Sequence, residues 1–258
     1  MNILRTPALL TFLIFISTTS VFATTFEFDF ADGVLGELTS TISFENDDEE
    51  VILTVTGYYW DGDSWETANL YRRNQDNDHG LGVCNPEETP CPGPSGGGDI
   101  NELDNDGKPE LIALWKDPDY DWYSLGLSSL DGNAGDPEIE RGVLWGADSG
   151  SLAGVNDDLS DFGGSALDMF EFEGGTVEPD LNVSGVAYTY LFFQPIDWSF
   201  DPILMLGGGH GHHSKANDNN DFLIRGAVLN RSDVPEPSSL LLIVGGLALV
   251  ARVRRRRN

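Results

Sequence analysis

Basic residues are scarce: the 258-residue chain has 14 Lys and Arg against 43 Asp and Glu. Six of the 14 lie near the termini, namely Arg5, Arg252, Arg254, Arg255, Arg256 and Arg257. Residues 24 to 235 therefore carry eight bases against 42 acids, a net charge of −34 that repels phosphate backbones and excludes nucleic acid as a direct partner. Cysteine is nearly absent, with two residues, which excludes a disulfide-dense scaffold and a multi-cysteine zinc site. A Gly-x-Ser-x-Gly elbow, a P-loop and a dinucleotide fingerprint are all missing. Acids are so abundant that pairs of carboxylates identify no glycosidase-like site, and the chain reads as non-enzymatic. No segment keeps a helical period over several turns.

What is present begins at the ends. Arg5 precedes an apolar run from Ala8 to Ile16, and Val21-Phe22-Ala23 offers small residues at both positions that direct signal cleavage. The run is shorter than the roughly 20 residues that span a bilayer, so residues 1–23 read as a signal peptide cut between Ala23 and Thr24. Residues 24–233 then form the exported domain, long enough for one large β domain.

Near the C-terminus, Val234-Pro235-Glu236-Pro237-Ser238 is followed by an apolar stretch from Ser239 to Ala251 and by Arg252-Val253-Arg254-Arg255-Arg256-Arg257. The apolar stretch can enter a membrane, and the arginines keep its far end cytoplasmic. Two prolines around a glutamate present an extended segment at the outer membrane face. In order and spelling, residues 234–258 resemble the PEP-CTERM sorting signal. That resemblance implies that Pro235, Glu236 and Pro237 are recognised by an exosortase working with the export machinery of a Gram-negative bacterium. It also implies an inner-membrane intermediate, removal of the tail, and delivery to the outer cell surface or extracellular matrix. The membrane is met only through this tail before processing, and exopolysaccharide is the partner that such systems suggest.

Between the ends, Thr24 to Phe30 alternates polar and apolar residues and puts Phe26, Phe28 and Phe30 on one face of an opening strand. Further strands are expected at 38–44, 51–58, 68–71, 110–115, 121–127, 142–145, 167–172, 186–193 and 222–229. Asp-Gly pairs at Asp32, Asp61, Asp106 and Asp131 favour tight turns between them. Many short strands with Gly, Pro and Asp punctuation predict an all-β fold: an antiparallel β-sandwich of jelly-roll-like character, with a barrel as the alternative.

Several motifs invite chemistry. The order Gly80-Leu81-Gly82-Val83, then an acidic segment from Asp99 to Gly107, then a hydrophobic strand from Glu110, is similar to a domain of exosortase-dependent surface proteins, a resemblance that implies no activity. In the acidic segment Asp99, Asn101, Asp104 and Asp106, with Glu110 beyond, supply the closely spaced oxygens that calcium takes, although the spelling departs from an EF-hand. An Asx-rich turn leading into the strand is the plainer alternative. Cys84 and Cys91 flank a Pro-bounded loop short enough for a disulfide in an oxidising compartment. His210, His212 and His213 are close enough in sequence to share a zinc or nickel ion, but the glycines around them leave the segment loose and favour a solvated loop. Tyr58, Tyr59, Trp60, Trp65, Trp115, Tyr120, Trp122 and Tyr123 suit either a core or a sugar-stacking platform. The sequence thus predicts an exosortase-processed, non-enzymatic surface or matrix protein with a structural or adhesive role. A carbohydrate-binding module, calcium-dependent or not, is the first rival, to be recognised by exposed coplanar rings. A secreted hydrolase is the second, to be recognised by acids or a histidine converging in one pocket.

Overall fold

The computed structural model describes residues 24–46, 51–75, 78–86, 103, 108–128, 139–157, 159, 162, 165–173, 179–195 and 222–231. Both terminal signals lie outside them, as do Asp99, Asn101, Asp104, Asp106, Cys91 and the histidines at 210–213. The described residues form strands and connections with no helix: β1 (Thr25–Asp29), β2 (Gly36–Glu37), β3 (Thr41–Asn46), β4 (Val51–Trp60), β5 (Trp65–Gln75), β6 (Asp78–Cys84), β7 (Glu110–Lys116), β8 (Tyr120–Ser128), β9 (Ile139–Ala147), β10 (Ser165–Glu173), β11 (Asp180–Asn182), β12 (Tyr190–Pro195) and β13 (Leu223–Arg231). All pairings among them are antiparallel, and the sheet runs β10-β9-β12-β7-β4-β5-β6-β13-β8-β11, with β1 on β13, β2 on β5 and β3 on β4.

This one sheet curls because β5 changes partners midway. Gly57 to Trp60 of β4 pair with Trp65 to Ala68, whereas Asn69 to Gln75 pair with β6. The bend falls where side chains are small: a Cβ on Gly57 would lie 3.0 Å from the Ala68 carbonyl oxygen and 3.1 Å from Leu70 Cδ2. The two halves then face each other across one core. Leu53, Val55, Ile112, Leu114, Leu191 and Phe193 enter it from the β7 half, while Phe28, Leu81, Trp122, Leu127, Ile224 and Leu229 come from the β8 half. The predicted alternation of Phe26, Phe28 and Phe30 is realised, all three being buried.

Two predicted turns fall on described residues. At the β4–β5 hairpin the Asp61 Oδ1 accepts from the Asp63 and Ser64 backbone N–H groups at 2.8 Å each, and Gly62 takes φ +113°. Those two bonds hold the Asp61 carboxyl below its usual range. After β1, Gly33 takes φ +119°, and the space its missing Cβ leaves is filled by the Arg72 guanidinium.

Besides the unexpected β2, the later start of β3 and the greater length of β5, three differences from the expected strands stand out. Residues 186–189 precede β12 instead of forming part of it, and the short β11 comes from a segment with no clear alternation. The third is β6, which is hidden in the sequence by Gly80 and Gly82, residues of poor strand propensity. Gly80 is required there. Its φ is +141°, and a Cβ on it would lie 2.5 Å from the Ile224 carbonyl oxygen, which leaves no room for a side chain.

Candidate functional site

The outer faces of the two halves differ. Over the β7 half, the described residues from 148 to 162 lie as a strap held by successive turns, with backbone bonds from Val155 to Leu152, Leu159 to Asn156 and Phe162 to Leu159. Its Leu152, Val155, Leu159 and Phe162 form a second core with Leu111, Ala113, Ala147 and Phe192. Trp65 Nε1 donates to the Asn156 carbonyl at 3.0 Å, and Gln194 Nε2 donates to that of Asp157.

Most of the candidate platform rings are used in packing. Trp65, Tyr120 and Trp122 are buried, and Trp122 Nε1 donates to the Tyr188 carbonyl at 2.8 Å. Tyr58, Tyr59, Trp60 and Trp115 are half-buried. Trp60 and Trp65 meet at 66°, edge to face, which is not the coplanar arrangement a sugar ring stacks on. Burial also pushes the Tyr58 hydroxyl above its usual pKa, with the Tyr190 phenol adding to the effect. Tyr123, at 47% exposure, is the ring of that set that faces solvent.

Among the described residues nothing lies over the outer face of the β8 half, and a groove of about 220 Å³ crosses it. The strand register explains its shape. Asp180, Gly126, Gly226 and Asp29 stand side by side on β11, β8, β13 and β1, and Asn182, Ser124, Val228 and Glu27 form the next row. The pairing of β13 with β8 shifts between Ile224 and Gly226, which leaves Arg225 as an extra residue whose carbonyl accepts from Phe30 N at 2.9 Å. Its guanidinium lies across Gly126, where a Cβ would be 2.9 Å from Nε, and its Nη2 donates to Asp180 Oδ1 at 2.8 Å. His79 closes the groove, anchored through its backbone by the Ser128 hydroxyl.

The groove thus joins one guanidinium to three carboxylates, a hydroxyl and an imidazole over a floor without side chains. It can hydrogen-bond a polar ligand, and it brings acids and a histidine into one groove as a hydrolase would require, but Asp180 is engaged by Arg225 and Asp29 by the Ala31 backbone N–H. Sequence reading singles out none of these residues as a site. The alternation of β1 does place Glu27 and Asp29 opposite the core face, but nothing in the residues around Arg225 announces the bulge.

Of the calcium candidates, Glu110 is described, fully buried at the head of β7. Leu103, within the acidic segment, is also fully buried and exchanges two backbone hydrogen bonds with Phe222, at 2.8 and 3.2 Å. Among the described residues no group of three or more His, Cys, Asp or Glu converges to hold a metal. Cys84 is buried at the end of β6, opposite Asn69.

Neither a curated protein nor a solved structure matches the chain. A family described as the PEP-CTERM protein-sorting motif matches residues 233–257, which take in Pro235, Glu236, Pro237, the apolar stretch and the arginines. The chain therefore carries the PEP-CTERM protein-sorting motif, the mark of an exported protein sorted through an exosortase.

Proposed function

We propose that this is a non-enzymatic structural or adhesive protein of the outer surface or extracellular matrix of a Gram-negative bacterium, delivered there after an exosortase removes its tail. The sorting motif at 233–257 is the observation that carries the reading. The rest of the fold is consistent with it: the curled sheet works as a β-sandwich with β5 shared between its layers, and its large negative charge keeps copies apart. A Cys84–Cys91 bridge and a calcium ion held by Asp99, Asn101, Asp104, Asp106 and Glu110 belong to the same proposal as stabilisers of the segment between β6 and β7. Fractionation of cells producing the full chain, beside the double variant Pro235→Ala/Pro237→Ala, tests it. The variant is expected to stay in the membrane fraction at its unprocessed size while the parent appears outside. Equal processing of both would reject the reading.

The groove of the β8 half favours a second reading, binding of exopolysaccharide. Its guanidinium, carboxylates and Ser124 match the hydroxyls of a sugar, and the Gly126–Gly226 floor admits close approach. The buried rings speak against stacking as the mode. Co-sedimentation of the exported protein with the strain's own polysaccharide, in calcium and in chelator, separates the cases. Binding lost in Arg225→Ala places the ligand in the groove, and binding lost only with chelator places it at the acidic segment.

A further inference from the structure

β13, the last strand of the described residues, is clasped on both edges. It pairs with β8 from Leu223 to Arg231, with β1 from Gly226 to Asn230, and with β6 at Ile224. Leu223, Ile224, Ala227 and Leu229 carry it into the core, each at most 2% exposed. The clasp holds to the last residue: Arg231 stands opposite Tyr120, and its backbone N–H donates to the Thr24 carbonyl at 3.1 Å. The chain enters and leaves the folded domain at one pole, beside the β7–β8 turn at Asp117 to Asp119.

The sorting motif begins at residue 233, two positions after Arg231. Four Cα steps separate Arg231 from Pro235, a reach of at most about 14 Å even when fully extended. That is close to the width of a single helix with its side chains, so an enzyme that grips Pro235-Glu236-Pro237 has no room to stand clear of the folded pole. We infer that the pole formed by Thr24, Thr25, the Asp117–Asp119 turn and Arg231 is a contact surface for the membrane enzyme that processes the tail. Residues outside the sorting motif then take part in its processing. The inference rests on the exosortase reading above and extends it from a linear signal to a signal presented against a folded edge.

The test uses the full chain in its own host, followed by pulse-chase to read the rate of tail removal. Asp119→Arg and Thr25→Arg change exposed side chains at the pole, and Asp63→Arg changes an exposed residue of the β4–β5 hairpin at the opposite end. Both pole variants are expected to slow processing several-fold and Asp63→Arg to leave it unchanged. Insertion of ten Gly and Ser residues after Ser232 is expected to erase the difference, because the longer tether frees the enzyme from the pole. Thermal unfolding of the released domains controls for misfolding. Equal rates for pole and control variants on the native tether would overturn the inference, as would a difference that survives the insertion. Failure of the underlying reading is distinct, since Pro235→Ala/Pro237→Ala would then be processed like the parent.

Discussion

The two halves of the sheet bury their residues differently, and the difference is written in their sequences. β7 and β12 are covered on both faces, by the shared core inside and by the strap outside, and they read as near-continuous apolar runs, Leu111 to Trp115 and Leu191 to Phe193. Among the described residues β1 is covered on one face, and it alternates strictly, with Phe26 and Phe28 inside and Glu27 and Asp29 in the outer groove. A run marks a strand with two neighbours in depth, and an alternation marks a strand with water on one side.

Truncation on the outer faces separates the two halves most. Phe192 is fully buried under the strap, with Phe162 packed edge to face on its ring at 4.7 Å. Phe192→Ala is expected to cost about 3–5 kcal/mol of stability, as a core aromatic does. Val228, half-buried on the outer face of β13, is expected to cost less than about 1.5 kcal/mol when cut to Ala. Denaturant unfolding of the exported protein measures both. Similar costs at the two sites would mean that the strap does not shield the β7 half.

Glycines differ in the same way, because the β8 half uses them where strands crowd and the hairpins use them where the chain merely turns. Gly80→Ala meets a strained φ and the Ile224 backbone together, and is expected to lose about 3–4 kcal/mol. Gly62→Ala has open space around it and only its φ of +113° to lose by, about 1–2 kcal/mol. Midpoint shifts in the same unfolding assay rank them, and an equal ranking would remove the steric role assigned to Gly80.

These positions also show what is legible in the sequence. The tight turns at Asp32-Gly33 and Asp61-Gly62 follow from residue type alone, since few other pairs accept positive φ. Leu81 and Val83 of β6 carry a period of two and are fully buried, but the glycines between them mask the strand, because a glycine demanded by a neighbouring backbone looks in sequence like one that interrupts a strand. The strap is invisible for another reason: Leu152, Val155, Leu159 and Phe162 are spaced by local turns and follow neither regular period. Composition supplies the aromatic residues but not their burial, which depends on which face each strand turns inward. The groove depends on register and on a bulge, which are long-range properties, so its Arg225 has no local signature.

Lys116 connects the two halves through charge. It is 1% exposed, its Nζ donates to the Tyr120 carbonyl at 2.5 Å and sits 5.8 Å from the centre of the Trp122 ring. Burial lowers its pKa below the usual lysine value, against the opposing pull of Asp121, Asp117 and Asp148. Between that lowered value and 10.5 the unfolded chain holds more protons at this position than the folded one, so its contribution to stability increases as pH rises through the window. Lys116→Met removes the titrating group, and the stability difference between parent and variant is expected to shift in favour of the parent as pH rises through that window. A difference that stays constant with pH would show that the ammonium is not desolvated in the fold.

The smallest effect belongs to the groove. Arg225 and Asp180 are 31% and 61% exposed, and an ion pair so accessible to water contributes at most about 1 kcal/mol, with salt screening part of it. Asp180→Asn keeps the shape of the side chain and is expected to lower stability by less than about 1 kcal/mol at low ionic strength, with the loss shrinking in high salt. Chemical denaturation at two salt concentrations reads it. A loss of several kcal/mol, unchanged by salt, would mean that the Arg225 guanidinium is a buried charge left stranded without its carboxylate, and the outer face of the β8 half would then be structural like that of the β7 half. A small, salt-sensitive loss lets the guanidinium exchange Asp180 for a ligand, because little folding energy holds the pair together.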